Sequence, residues 1–270
     1  MNEKHAANLT PPAGTAADTG TLGKAMALVE MIADATVPLR FTDILKRSGQ
    51  PRGTLHRQLR HLLDEGLIET DGDAAYVPGL RLLRLAARAW SRNEFRQMAA
   101  PHLETLHART GETVHLALLR GAQVIYLDKV EAHQAVRMHS QIGNASPAYC
   151  TGVGKAALSA LDEVTIRAHL EGVVFERFTD STHGDISSLL DDIVDIRQRG
   201  FAFDMEEHQS GICCVAAAIH VAEQGIIAGI SVTAPAYRAS LDLLNSWAGP
   251  LLDVAGAISR DIRAGLGPRR

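Results

Sequence analysis

The sequence predicts an α+β protein with an N-terminal winged helix-turn-helix, a connecting helix, and a C-terminal antiparallel sheet that carries helices. Three observations support this prediction. The 270 residues exceed what one hydrophobic core usually organises, so we expect two domains. Apolar residues near the N-terminus recur at helical spacing, whereas later segments contain β-favouring runs joined by short polar turns. The charge also changes sign along the chain.

Basic residues are concentrated in the N-terminal part of the chain. Residues 22–92 carry 11 Lys and Arg against 8 Asp and Glu, whereas residues 93–270 carry 15 against 21. The net charge of -4 therefore conceals a basic segment. Within it, six basic residues lie close together in the sequence, and Asp43 is the only acid between them: Arg40, Lys46, Arg47, Arg52, Arg57 and Arg60. Such a patch is typical of nucleic-acid binding, although a solvated helical face is the alternative explanation.

The composition argues against several protein classes. Apolar residues make up 46% and charged residues 21% of the chain, as in ordinary globular proteins. No apolar run is long enough to span a bilayer, and the first residues lack the apolar stretch of a signal peptide. Three cysteines cannot form a disulfide framework, so we expect a cytoplasmic protein without membrane contact.

Three helices are predicted after a disordered tail at residues 1–21, which is rich in Ala, Thr, Pro and Gly. Apolar spacing predicts the first helix over Leu22–Ala35, with Leu22, Ala25, Met26, Val29, Ile32 and Ala33 on its apolar face. The second spans Phe41–Arg47 and ends at a left-handed Gly49. Gln50 and Pro51 open the third, which stops at Gly66.

A hairpin completes a winged helix-turn-helix over residues 22–78. Leu67–Val77 has β-favouring ends around an Asp-Gly dipeptide, the signal for a tight turn. If Leu55, Leu59 and Leu62 of the third helix face the core, the opposite face can enter a major groove. The candidate DNA contacts there are Arg52, Gly53, Thr54, His56, Arg57 and Arg60. An exposed face of a plain helical bundle is the alternative.

A connecting helix is predicted over Pro78–Trp90, in a linker and dimerisation segment at residues 79–95. Its apolar stripe consists of Leu80, Leu83, Ala87 and Trp90. Little of the same chain is available to cover this stripe, so we expect it to pair with a second subunit; core packing within one chain is the alternative. A following helix over Phe95–Arg109 contains Pro101, which should restart or kink it.

Residues 96–270 predict a sheet with helices on it. The expected strands span 113–119, 124–130, 135–139, 201–205, 213–221 and 226–233, and a helix opens near Thr151 before others at 162–170, 185–199 and 241–263. The segment SQIGNASPAY is expected to be a loop. Short connections favour antiparallel pairing.

Four blocks resemble the IclR family of bacterial transcriptional regulators. They are GQPRGTLHRQLRHLLDEGLIE, TGETVHLALLRGAQVIYLDKVE, PAYCTGVGKAALSAL and GFAFDMEEHQSGICCVAAAIHVAEQGIIAGISVTAP. The resemblance covers residues 22–265. It implies a linker helix and a GAF-like effector-binding domain, in a homodimer or dimer of dimers that binds a palindromic, double-stranded operator.

A ligand site is expected at the turn formed by residues 151–154. Backbone N–H groups at a helix start can bind a carboxylate without a cationic side chain. The resemblance implies that the effector contacts are Gly152, Val153, Asp204, Cys214, Ser231 and Thr233. Ser231 and Thr233 are two residues apart and so share a face, although neighbouring backbone could satisfy both hydroxyls. Cys213 should point to the opposite face from Cys214.

The sequence departs from the family pattern at two informative positions. Gly53 stands where a Ser is common, which removes a possible phosphate contact. Tyr149 stands near the pocket turn where a His is common, which suggests a different pocket polarity and size.

We expect no catalytic residue, metal ion or cofactor. Cys150 and Cys214, with His115 or His208, show neither C-x-x-C nor zinc-ligand spacing, and the glycines before Lys155 lack the spacing of a phosphate loop. The expected function is a ligand-responsive transcriptional regulator, a repressor rather than an activator, that senses a small organic acid. Two alternatives stay open: an enzyme that uses the sheet domain, and a ligand-binding module whose partner is a protein.

Overall fold

The computed structural model describes residues 20–132 and 140–265 of the chain, which divides into an N-terminal unit, Met1–Ser91, and a C-terminal unit, Arg92–Arg270. Residues 1–19 of the expected tail and the predicted strand at 135–139 lie outside the described residues. Gly20 and Thr21, expected in the tail, belong to the first helix. No helix in the described ranges combines the length and apolarity that crossing a bilayer would require.

The N-terminal unit has the predicted order of elements. These are α1 (Gly20–Ala33), α2 (Phe41–Ser48), α3 (Arg52–Asp64), β1 (Ile68–Thr70), β2 (Tyr76–Pro78) and α4 (Leu80–Ser91). Leu28, Val29 and Ile32 of α1 enter the small core, whereas Leu22, Met26 and Ala33 are exposed, contrary to the predicted stripe. The reason is that the core, built mainly on Ile44 and the α3 leucines, covers only one side of the C-terminal half of α1.

The residues predicted at the two helix ends lie at or next to those ends, but the loop of the wing is longer than predicted. Gly49 has φ 62° and ends α2. Pro51, predicted at the first helical position of α3, is instead its N-cap, and the helix begins at Arg52. β1 and β2 form the predicted antiparallel hairpin, but the loop between them covers residues 71–75 and is longer than a two-residue Asp-Gly turn. Asp71 Oδ1 accepts the N–H groups of Asp73 and Ala75 and thereby holds the longer loop, in which Ala74 takes the left-handed conformation.

The connecting helix begins on the base of the wing. A Cβ at Gly79 would lie 2.3 Å from the carbonyl oxygen of Gly66, so only glycine fits there. Glu69 Oε1 accepts the N–H of Leu80 at 2.9 Å, and Arg81 pairs with Glu65. The helix ends at Ser91, one residue after the predicted end at Trp90.

The C-terminal unit is built on a six-stranded sheet in which all neighbouring strands are antiparallel. Its order is β5 (Ala145–Pro147), β4 (Gln123–Val130), β3 (Thr113–Arg120), β8 (Ile226–Pro235), β7 (Ile212–Val221) and β6 (Ala202–Met205). The α+β prediction with an antiparallel sheet is confirmed. β5 lies in the predicted loop; it has three residues at the sheet edge and includes a Pro, so it carries little strand signal.

Helices cover both faces of this sheet. The helices are α5 (Glu94–Thr110), α6 (Gly152–Ser159), α7 (Glu163–His169), α8 (Ile186–Arg199) and α9 (Leu241–Arg263). Residues of α5 and α9 share a core with one face, whereas residues of α6, α7 and α8 share a second core with the other. α5 runs through Pro101 without restarting, because Pro101 is exposed while Ala99 and Leu103 anchor the helix on both sides of it.

Candidate functional site

The first candidate site is the exposed face of α3. All six predicted DNA contacts lie on this helix, and its buried side consists of Leu55, Gln58, Leu59 and Leu62. Thr54 is half-buried; the exposed members are Arg52, Gly53, His56, Arg57 and Arg60. Among the described residues, neither Arg57 nor Arg60 forms a salt bridge. Both guanidinium groups are therefore available to an anionic partner.

Phe41, which the sequence analysis did not assign to the site, orients the start of this face. The Arg52 guanidinium carbon lies 5.1 Å from the Phe41 ring centroid, and the His56 ring meets the same ring edge-on at 6.2 Å. These contacts restrict two long side chains on the first turns of α3. The signal available in the sequence was an aromatic residue at the first position of the preceding helix.

The second candidate site is a cavity between the start of α6 and the sheet, with a volume of about 640 Å³ including its open mouth. All six predicted effector contacts line it. Thr151 of the expected turn also lines it, together with eight residues that the sequence analysis did not assign to the site: His115, Tyr126, Ser140, Asn144, Ser146, His208, Gln209 and Ile212. Most of these side chains are polar, and no Lys or Arg of the described residues is among the lining groups.

Strand register brings the sheet residues of the cavity together. Asp204 pairs with Cys214, and Cys214 pairs with Thr233, so three strands contribute one row. Ser231 pairs with His115 in the next row of the same face. Cys213 belongs to the core on the opposite face, as the alternation of strand residues predicts.

The start of α6 is pressed closely against this face. A Cβ at Gly152 would lie 2.4 Å from Cys214 Sγ, and a Cβ at Gly229 on β8 would lie 2.3 Å from the Val153 carbonyl oxygen. Thr151 is the N-cap, but its hydroxyl donates to the Pro147 carbonyl and does not cap the helix. The first-turn N–H groups have no acceptor within the helix, so an anion in the cavity would meet the positive end of α6.

His115 and three hydroxyl groups form a polar cluster in the cavity wall. His115 Nδ1 lies 3.1 Å from Thr233 Oγ1, and its Nε2 lies 2.7 Å from Ser140 Oγ. Ser231 Oγ lies 3.3 Å from Thr233 Oγ1. Burial lowers the pKa of His115 to about 3, with a smaller effect from Lys129, so the ring is neutral at physiological pH. The hydroxyl pair is thus held by a side chain and not by neighbouring backbone.

Asp204 is the acidic group of the cavity. Its Oδ1 accepts the N–H of Glu207 at 2.8 Å. Burial, and then the negative charge of Glu207, raise the pKa of Asp204 to about 7. The carboxyl group is therefore close to half-protonated near neutral pH.

A buried ion-pair cluster lies behind the start of α6. Lys155 Nζ donates to Asp192 Oδ2 and to Glu207 Oε1, each at 2.6 Å, and Arg199 lies 3.2 Å from Asp192 Oδ1. Burial alone would lower the pKa of Lys155, but Glu207 and Asp192 raise it. His183, Asp192 and Glu207 have potential metal-ligand atoms within 4.8 Å of one another. Because two protein cations already neutralise both carboxylates, a further divalent ion would be repelled there.

The thiols and Tyr149 do not add reactive groups to the cavity. All three cysteines lie within the described residues, where they are buried and unbonded. Burial raises the pKa of Cys150 and Cys214 well above the ordinary value, which keeps both thiols protonated. Tyr149 is not among the lining residues: its ring packs on Phe175 with the centroids 4.4 Å apart, and its hydroxyl donates to the backbone carbonyl of Glu176.

Two family models match the chain. The IclR helix-turn-helix domain matches residues 21–72, and the C-terminal domain of the bacterial transcriptional regulator IclR matches residues 87–260. The described sheet and cavity fall within the second match.

Individual relatives and structures agree with these matches. The chain is 32% identical over 250 residues to the HTH-type transcriptional regulator BhcR of Paracoccus denitrificans, covering 92% of this chain and 88% of the relative. It is 29% identical over 255 residues to the acetate operon repressor of Salmonella typhimurium, covering 92% and 93%. The crystal structure of Thermotoga maritima IclR superposes with a TM-score of 0.67 at 29% identity, covering 89% of this chain and 98% of that one. These relatives are named regulators, not enzymes.

Proposed function

Because the chain belongs to the IclR family of bacterial transcriptional regulators, we propose that it is a repressor that binds an operator through α3 and releases it when a small organic acid enters the cavity. The observation that carries this proposal is the polar cavity at the N-terminus of α6, which is lined by first-turn residues and by no described cation. An anion recognised by backbone N–H groups fits such a cavity.

The DNA contacts are proposed from position and charge. Arg57 and Arg60, on the exposed face, reach guanine edges or phosphates. Arg52 and Thr54 contact phosphates at the start of the helix, and His56 supplements them. Gly53 lets the helix backbone approach the DNA, since nothing lies within 4 Å of the position its Cβ would take.

The effector contacts are proposed from the cavity wall. The carboxylate of the organic acid binds the N–H groups of Gly152 and Val153. Ser231 and Thr233 bind a second polar group of the ligand. Cys214, which lies between Asp204 and Thr233 across the strands, provides an apolar contact. Binding shifts the population from an operator-competent to an incompetent arrangement.

The proposed assembly is a homodimer or a dimer of dimers. Leu80 and Leu83 of α4 are 70% and 67% exposed, and none of the described residues of this helix is buried. Pairing with the same helix of a second copy would cover these leucines. A dimer would match a palindromic operator. The name of the acetate operon repressor supports the repressing sign.

Selection of genomic fragments tests the proposal directly. The full-length protein is incubated with sheared genomic DNA of its own host at low salt, and bound fragments are sequenced. We expect a palindromic sequence to be enriched, and we expect one organic acid from a panel to reduce its recovery. Failure to retain any sequence above background, with correctly folded protein, would exclude the operator-binding role and favour a protein partner for the N-terminal unit.

A further inference from the structure

We propose that Asp204 binds the effector as a neutral carboxylic acid, which donates its proton in a hydrogen bond to the effector carboxylate, so that effector binding takes up one proton. The inference rests on the proposed function of the cavity as an organic-acid site. It adds the protonation state of one wall residue and the resulting pH dependence of ligand affinity.

The position of Asp204 places it beside the bound anion. Its carboxyl group lines the cavity and the residue is only 7% exposed. A Cβ built at Gly152 would lie 3.5 Å from the Cβ of Asp204, so the two residues are in contact across the cavity edge. A carboxylate that binds the first-turn N–H groups of α6 therefore lies next to the Asp204 carboxyl.

Within residues 20–132 and 140–265, no cation is placed to separate the two carboxyl groups. Lys155 lies on the same helix as Gly152, but its ammonium group is already held at 2.6 Å by both Asp192 and Glu207. In the described ranges, the cavity wall contains no Lys or Arg. Two ionised carboxylates in a buried site repel each other strongly, whereas one shared proton turns the repulsion into a hydrogen bond.

The other groups around Asp204 leave it as the titrating partner. Those facing it are Glu207 and His208 after β6, Cys213 and Cys214 on β7, Cys150 before α6, Lys155 on α6 and Tyr126 on β4. Burial raises the pKa of the three thiols and of Tyr126, and it lowers the pKa of His208, so these groups are neutral near pH 7. Burial raises the pKa of Glu207, an effect that its ion pair with Lys155 opposes, and the Glu207 amide donates to Oδ1 of Asp204. The Asp204 carboxyl lines the cavity, so its protonated form can donate to a ligand carboxylate there.

The direction of the pH dependence follows from the protonation state of Asp204 in the ligand-free protein. The pKa of Asp204 is raised to about 7 by burial and by Glu207. Below this pH the carboxyl is mostly protonated, and ligand affinity should be constant. Above it, only the shrinking protonated fraction binds, so the apparent Kd should rise about tenfold for each pH unit.

Isothermal titration calorimetry tests the inference with three probes: sodium pyruvate, D-gluconate and benzoate. Wild-type protein is titrated from pH 6.0 to 8.5 in pairs of buffers with different ionisation enthalpies. We expect the apparent Kd of the probe that binds to rise about thirtyfold across this range, and about one proton to be taken up per ligand at pH 8. The proton count is measured on wild-type protein and needs no variant.

Variants distinguish the contribution of the Asp204 proton to ligand affinity from that of the rest of its side chain. Asp204→Asn keeps a hydrogen-bond donor but cannot ionise, so its affinity should be independent of pH and its proton uptake zero. Asp204→Ala should bind more weakly throughout. Asp253→Asn, at a residue of the same unit whose side chain is 74% exposed, should retain the wild-type pH dependence. Binding to wild-type protein without proton uptake overturns this inference but leaves the proposed function intact. Absence of binding by all three probes at every pH overturns both.

Discussion

At the scale of single residues, three glycines differ in what their missing side chain allows. Gly152 and Gly229 permit the close contact between α6 and the sheet, because a Cβ at either would lie within 2.5 Å of a neighbouring atom. Gly53 has open space around it and an ordinary helical conformation. Packing within the chain therefore requires the first two glycines, whereas Gly53 is free to serve a contact with another molecule.

Substituting Gly53 should strengthen the fold and weaken DNA binding. Gly53→Ala adds a methyl group in solvent and lowers the conformational entropy of the unfolded chain, so the free energy of unfolding should rise by about 0.5–1 kcal/mol. Operator affinity, measured by fluorescence anisotropy, should fall because the methyl group prevents close approach of the backbone. Unchanged operator affinity in a stabilised variant would mean that the DNA does not approach the helix at this residue.

Gly229→Ala should have the opposite effect on stability. The added Cβ meets the Val153 carbonyl oxygen, which belongs to the backbone and cannot rotate away, so β8 and α6 must move apart. We expect a loss of about 1–3 kcal/mol in urea unfolding, with Gly53→Ala as the matched control. A wild-type unfolding midpoint would show that α6 is not pressed against the sheet in solution.

The positions of the candidate site residues were predictable from the sequence where helical spacing or a family motif indicated them. The six effector candidates came from a family resemblance, and strand register brings four of them into neighbouring rows. The place of His115 in the cavity wall was not predictable, because its partner Thr233 is 118 residues away in the chain. Phe41 was missed for a related reason: its contacts with Arg52 and His56 depend on how α2 crosses α3.

At the scale of elements, operator affinity should depend more on the positive charges of α3 than on the net charge of the whole protein. The double substitution Arg57→Ala and Arg60→Ala should weaken operator binding at least about tenfold and reduce its salt dependence, since each lost contact costs roughly 1–3 kcal/mol. Stability should change little, because both side chains are exposed.

The matched control removes the same charge elsewhere. Arg109→Ala with Arg177→Ala changes two exposed arginines of the C-terminal unit. This variant should bind the operator like the wild type. Equal weakening by both double variants would assign the effect to net charge and not to the recognition helix.

The exposed stripe of α4 should control assembly and not folding. Leu80→Glu with Leu83→Glu places charges on two leucines that their own unit leaves exposed. Sedimentation velocity should show a smaller species than the wild type, with circular dichroism unchanged. A wild-type sedimentation coefficient would exclude this stripe from the subunit interface.

Element boundaries were predictable where caps and periodicity coincide. The prediction for α9 has the observed bounds, Leu241 to Arg263, because a strong apolar stripe begins directly after the capping Ser240. The wing loop was not predictable, since Asp71 favours a longer turn through hydrogen bonds that compete with the Asp-Gly signal. β5 was missed because pairing with β4 defines it, while its own three residues have weak strand propensity.

At the scale of the whole molecule, the formal net charge of -4 combines two opposite contributions. In the proposed function, the basic residues near α3 face DNA, and the acidic C-terminal unit binds an anion through backbone groups and a buried carboxyl, so that anion binding there needs no basic surface. An acidic remainder also disfavours indiscriminate attraction to DNA outside the recognition helix.

The central claim is that an organic acid in the cavity of the C-terminal unit weakens operator binding by the N-terminal unit. Fluorescence anisotropy of a labelled operator, titrated with wild-type protein with and without a saturating concentration of the acid that binds in calorimetry, tests it most directly. The account predicts that the operator Kd rises by roughly 5- to 150-fold with the acid present, the usual range of allosteric coupling. An operator Kd that stays the same or decreases at saturating acid would contradict it.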